Sequence, residues 1–142
     1  MNSETSDEHS VRQLAGACYC GAVRYEVADE FEYALNCHCS NCRRTTGSAF
    51  KPFGGIPRRK LRLTAGADRL HLLGEADGHN ANCAECGSLL YSVVRGGEYV
   101  HVAYGTLADG PSLPPRAHIF VGSKAPWYSI TDDLPQFAEF PD

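Results

Sequence analysis

A chain of 142 residues with a formal net charge of −4 is long enough for one ordinary domain and too short for two comfortable ones. Apolar residues make up 43% and are interspersed with 14 Gly and 8 Pro, so no apolar run approaches the roughly 20 residues of a membrane-spanning helix. The seven cysteines are odd in number and come with no export signal, which disfavours a secreted disulfide framework and favours thiolates held by a metal in a reducing compartment.

Taken in chain order, Met1 to Ser10 is polar and carries Glu4, Asp7 and Glu8. It lacks the basic start and apolar stretch of a signal peptide, so the expectation is a disordered tail over residues 1–12 and a cytoplasmic location. No internal repeat, low-complexity tract or linker divides the rest, which predicts a single domain over 13–138. In Ala22 to Val27 the apolar Val23, Tyr25 and Val27 alternate with Arg24 and Glu26, the period of a half-buried strand. Ser40 to Thr46 reads as the one brief helix. Further strands are predicted over Lys60 to Thr64, Leu70 to Leu73, Leu89 to Val94, Tyr99 to Tyr104 and His118 to Val121. Turn signals at Gly54-Gly55, Ala65 to Asp68, Gly96-Gly97 and Asp109 to Pro111 separate several of them. The fold class expected is all-β, in small antiparallel sheets held by metal crosslinks.

The cysteines form three clusters: Cys18 and Cys20 as C-x-C, Cys37, Cys39 and Cys42 as C-x-C-x-x-C, and Cys83 and Cys86 as C-x-x-C. Residues i and i+2 of an extended chain face one side, so each C-x-C can present two sulfurs to one ion. C-x-x-C does so by curling around the metal, with Gly87 placed for the tight return. Zinc favours such tetrahedral sulfur sites. Two closed sites would need eight ligands. The simplest division gives Cys18, Cys20, Cys83 and Cys86 one zinc and leaves Cys37, Cys39 and Cys42 a second with one open position. A histidine closing the second site is the open alternative, with His71, His79, His101 and His118 as candidates. His38 faces away from Cys37 and Cys39 in a strand.

Between Tyr33 and Ala67 there is no Asp or Glu, yet seven of the 13 Lys and Arg lie there. Arg43, Arg44 and Lys51 are closest to the central cysteines and are candidates to receive a carboxylate of an anionic ligand. Phe50, Phe53, Trp127 and Tyr128 read first as packing residues and second as pocket walls. Asp132 and Asp133 read as turn residues.

The string Cys37-His38-Cys39-Ser40-Asn41-Cys42-Arg43-Arg44, with Gly47-Ser48 after it, resembles the family of glutathione-dependent formaldehyde-activating enzymes and centromere protein V. The likeness continues through Cys18-Tyr19-Cys20-Gly21, Cys83-Ala84-Glu85-Cys86-Gly87-Ser88, His118-Ile119-Phe120, Lys124 to Trp127 and Asp132 to Pro135. It implies a β-tent fold, a structural zinc on Cys18, Cys20, Cys83 and Cys86, and a catalytic zinc on Cys37, Cys39 and Cys42. The activity it implies is that of a carbon–sulfur lyase in formaldehyde detoxification, with glutathione as the small-molecule thiol. Three thiolates make zinc a weak activator of water and a good holder of a substrate thiolate, which suits that chemistry. Two rival readings are a zinc module that binds protein or nucleic acid without catalysis, and an enzyme of the same fold that uses another thiol or electrophile. The net acidic charge disfavours nucleic acid as a partner.

Overall fold

The computed structural model describes residues 11–141, and Met1 to Ser10, where most of the expected disordered tail falls, lies outside the described residues. Arg12 is tied down, its Nη1 donating to the Asp29 carboxylate at 3.2 Å and to the Gly110 carbonyl at 2.8 Å. The architecture is mainly β. Among the described residues, ten strands run as β1 (Gln13–Ala17), β2 (Arg24–Ala28), β3 (Tyr33–Cys37), β4 (Lys51–Pro57), β5 (Leu61–Ala65), β6 (Leu70–Glu75), β7 (Gly78–Cys83), β8 (Leu89–Val94), β9 (Tyr99–Ala103) and β10 (His118–Ile119), with one α-helix, α1 (Ser40–Thr46), after β3.

Two sheets form. The smaller has the order β1-β2-β5, and the larger the order β10-β3-β4-β9-β8-β7-β6. All pairings are antiparallel except β10 with β3, which is parallel. The expected all-β class of small antiparallel sheets is what forms, with this one parallel edge added. The chain returns to β3 only after the long irregular stretch beyond β9, which lets it arrive in either direction.

The main core lies between the sheets. Leu14, Val23, Tyr25 and Val27 of the small sheet and its loop meet Ile56, Val93, Val100 and Val102 of the large one, all almost wholly enclosed. The opposite face of the large sheet has another composition. Register places Cys37 beside Lys51, Leu35 beside Phe53, Gly55 beside His101, His101 beside Ser92 and Ser92 beside Asn80. Alternation along each strand then puts Cys37, Lys51, Phe53, His101, Ser92 and Asn80 on one surface. A second apolar cluster of Cys37, Phe53 and Ile119 sits there, with Cys39, Cys42 and Phe137 packed against it. The sheet thus has a sealed side and a chemically furnished one.

Gly55 makes that furnished side possible. A methyl group at its Cα would lie 2.1 Å from Cζ of the Tyr33 ring. With only hydrogen there, Tyr33 lies across β4 and reaches the His101 Nε2 at 2.7 Å.

Candidate metal centre

Two cysteine groups assemble in space. The sulfurs of Cys18, Cys20, Cys83 and Cys86 lie within 4.8 Å of one another, and so do those of Cys37, Cys39 and Cys42. Both groups could hold a metal ion.

The four-sulfur group is built from two loops. Cys18 and Cys20 follow β1, and Gly21, at φ +80°, turns the chain so that its amide bonds the Cys18 carbonyl at 3.1 Å. Cys83 ends β7, and Gly87, at φ +84°, closes the return by donating to the Cys83 carbonyl at 2.8 Å. Sulfur separations are 3.7 Å for Cys18 to Cys20 and 3.8 Å for Cys20 to Cys83. A tetrahedron with zinc–sulfur bonds of about 2.3 Å has edges of about 3.8 Å, so the residues fit zinc. Backbone amides point at the same sulfurs, from Val23 to Cys18 at 3.3 Å and from Glu85 to Cys83 at 3.3 Å. Such donors favour the thiolate. Ser88 does likewise for Cys86, and its hydroxyl and amide bring that thiol down to about 5.

The three-sulfur group is local to the β3–α1 junction. Cys37 ends β3, Cys39 is the N-cap of α1 with its sulfur accepting from the Cys42 amide at 3.3 Å, and Cys42 lies in the first turn. Gly47, at φ +62°, ends the helix after Arg43 and Arg44, which suit the negative C-terminal end. The Cys42 thiol donates toward Cys37 and brings its pKa down to about 6, helped by Cys39 and by the Lys51 ammonium against the cost of burial. Cys42, left holding the proton, is pushed up. A shared proton among crowded thiols is what a cation replaces on binding. Among the described residues no histidine joins this group.

Lys51 is the counter-charge. It is only 6% exposed, its Nζ donates to the Ser92 hydroxyl at 3.2 Å, and Ser92 in turn donates to the Asn80 side chain at 2.6 Å. A buried ammonium needs a compensating charge, and burial pushes its pKa down while the three cysteines pull it up.

Behind the cysteines, on the other face, His38 is fully enclosed and its Nε2 meets the His118 Nδ1 at 2.8 Å. The His118 Nε2 lies 3.0 Å from the Asp132 carboxylate. An ionised Asp132 accepts from the His118 Nε2–H, and the other His118 nitrogen pairs with the His38 Nε2. The His38 Nδ1 is buried without a partner. The sequence reading assigned Asp132 only to a turn. It does serve one, accepting from the Leu134 amide at 3.0 Å, but its histidine is 14 residues away, beyond any local signal.

The other candidates divide. His71 and His79 lie on the distant β6 and β7, His79 with its Nδ1 on the Glu75 carbonyl. Arg43 donates to the Ser123 carbonyl at 3.2 Å, and Arg44 is exposed. The remaining basic residues of the acid-free window scatter, since Lys60 pairs with Glu30 and Arg62 with Glu26. Phe50 packs on His38 and Tyr128, Phe53 is buried beside Cys37, and Trp127 is exposed. A groove of about 460 Å³ runs between the end of α1 and the Cys86 loop, lined by Thr45, Thr46, Ser48 and Lys51 together with Phe50 and Leu89. A larger cleft of about 660 Å³ lies at the far end of β4, between Glu32 and Arg58, away from both groups.

Comparison with known proteins gives one consistent result. Residues 13–123 match the sequence model of the family described as glutathione-dependent formaldehyde-activating enzyme. A Halomonas elongata protein provisionally named as such an enzyme is 32% identical over 148 residues, which cover 91% of this chain and 89% of that one. A Colletotrichum graminicola protein of the same provisional name is 33% identical over 60% of this chain, and the match spans about half of that longer protein, 49%. A Rhodobacter sphaeroides protein of known crystal structure is similar in fold, with a TM-score of 0.57 and 28% identity over 69% of this chain and 91% of that one.

Proposed function

Because the chain belongs to the family of glutathione-dependent formaldehyde-activating enzymes, we propose that it is a zinc enzyme of the carbon–sulfur lyase type, joining a thiol such as glutathione reversibly to an aldehyde at Cys37, Cys39 and Cys42. The observation that carries this reading is the unequal supply of sulfur, four side chains in one group and three in the other with no histidine added. The first group is the structural site in this reading, and the second is the catalytic one. Zinc bound by three thiolates would supply a place for a fourth sulfur and lower the pKa of the thiol that takes it.

The chain's own residues then set the conditions. Three thiolates and a divalent ion leave a net negative charge of roughly one, and the Lys51 ammonium offsets it from within the fold. In this reading Arg43, Arg44 and Lys51 receive the glutathione carboxylates, Lys51 from the lining of the groove and the two arginines from the last turn of α1. The Asp132–His118–His38 line orients both rings and braces the backbone between Cys37 and Cys39. In the addition, the thiol loses its proton, sulfur bonds to the carbonyl carbon, and the carbonyl oxygen gains a proton. The reverse step frees the aldehyde. The pairing of Lys60 with Glu30 and of Arg62 with Glu26 weighs against the alternative of a nucleic-acid module, which would use such cations on phosphate.

Purified protein should contain two zinc ions per chain and accelerate formation of the glutathione–formaldehyde adduct. Cys42→Ser should retain one ion and lose the acceleration. Full turnover in that variant would refute the assignment.

A further inference from the structure

Next to the three-sulfur group lies a second opening that formaldehyde would leave almost empty. It encloses about 590 Å³ between β3, β4, β9 and the C-terminal segment, and its walls include Tyr33, Phe53, His101, Ile119 and Phe140. That volume suits a ligand of drug-like size. Phe53 and Ile119 are also the residues packed on Cys37, so the opening and the sulfur group share a wall.

Its surface is aromatic and apolar, with one charge at the rim. The Phe53 and His101 rings stack at 4.2 Å between centroids, and burial, with Lys51 and Arg95 nearby, brings the His101 pKa down to about 4, so the imidazole is neutral near pH 7. Arg95 supplies the charge. Its guanidinium lies 4.5 Å from the Tyr99 ring centre and 5.1 Å from that of Tyr33. Among the described residues no carboxylate pairs with it.

The backbone points to the same place. Only two non-glycine residues among those described have positive φ, Arg95 at 54° and Phe120 at 57°. Arg95 lines the opening, and Phe120 follows its wall residue Ile119 and holds Phe140 in a T-shaped contact at 4.8 Å. Backbone held in this sparsely populated region gathers at ligand sites.

We propose that this cavity binds an apolar, ring-bearing carbonyl compound with a single negative charge, and that Arg95 receives the charge. The carbonyl group then lies at the Phe53–Ile119 end of the opening, the wall that packs on Cys37, and the thiol adds to it there with the atom balance given above. This rests on the proposed thiol addition and replaces its smallest electrophile with a larger one. Glutathione, with two carboxylates and an ammonium, finds one charged partner in this opening, whereas the groove beside Lys51 adds the hydroxyls of Thr45, Thr46 and Ser48.

Two probes separate the inference from the reading beneath it. The zinc-loaded protein is titrated with 4-methylbenzoate, which cannot react, and followed by heteronuclear NMR. Shifts centred on Val94, His101 and Ile119 with sub-millimolar affinity are expected, and Arg95→Asn, whose side chain tolerates positive φ, should weaken binding at least tenfold. Affinity for 4-methylbenzyl alcohol, which lacks the charge, should be unchanged by that variant. No saturable shift, shifts elsewhere, or equal affinity in Arg95→Asn would overturn the proposal. Consumption of 4-formylbenzoate with glutathione, read from carbonyl absorbance, tests the addition itself. Binding of 4-methylbenzoate without that consumption would leave the cavity standing and refute the chemistry.

Discussion

At the scale of single residues, Lys51 ties stability to metal binding. Its ammonium is buried beside three sulfurs, and removing one partner of a buried charge pair leaves the other uncompensated. Lys51→Met should therefore lower the melting temperature of the zinc-loaded protein. The same change withdraws the charge that favours the thiolates, so zinc affinity at the three-sulfur group should fall about tenfold or more, measured by competition with a chromophoric chelator. Unchanged affinity would show the cation to be incidental. Asp29 makes a different case. Burial alone would raise its pKa, but the Ser112 hydroxyl and amide and the Arg12 guanidinium outweigh burial and hold it below 3.8. A carboxylate depressed in this way stabilises the fold above its unfolded pKa and stops doing so as pH falls through the lower folded value. Asp29→Asn should cost about 1–3 kcal/mol in urea unfolding at pH 7, and the gap from wild type should close below pH 3.8. A gap that persists there would mean that packing, not charge, is what the variant lost.

At the scale of elements, the sequence revealed some strands and hid others for physical reasons. Leu89–Val94 and Tyr99–Ala103 were legible because their β-branched and aromatic residues mark them. Tyr33–Cys37, Lys51–Pro57 and Gly78–Cys83 escaped. Lys51–Pro57 is buried along nearly its whole length and carries two prolines and two glycines, so it shows neither alternation nor typical composition. Its glycines are small because rings cross them. Gly55→Ala would set a methyl group into Tyr33, and the ring would have to leave its contact with His101. A loss of about 1–3 kcal/mol is expected from overpacking, together with altered 4-methylbenzoate binding in the adjoining cavity. If Gly55→Ala unfolds at the wild-type denaturant concentration and binds the probe equally well, Tyr33 is not fixed by this contact.

At the scale of the whole molecule, the two sulfur groups differ in what they connect. The cysteine spacing revealed both, because C-x-C and C-x-x-C fix their geometry locally. The sequence could not reveal that the Lys51 side chain, beside Cys37 on β4, reaches past β9 to Ser92 on β8, because register aligns Ser92 with His101 and Gly55 and only the folded side chain closes the gap. The three-sulfur group spans Cys37 to Cys42 within one junction, so a metal there closes only a short loop. The four-sulfur group joins the loop after β1, in the small sheet, to the turn after β7, in the large one. A metal there ties the two sheets around the core, and its binding free energy becomes folding free energy. With zinc at a thousand times its dissociation constant, the linked stabilisation is about 4 kcal/mol. Cys83→Ser should accordingly lose about that much stability and shed the first zinc, whereas Cys42→Ser should melt within a few degrees of wild type while losing the other. Calorimetry paired with metal analysis reads both quantities on the same samples. Equal destabilisation by the two variants would mean that the groups share one structural task, and the division of labour between a staple and a reactive site would fall with it.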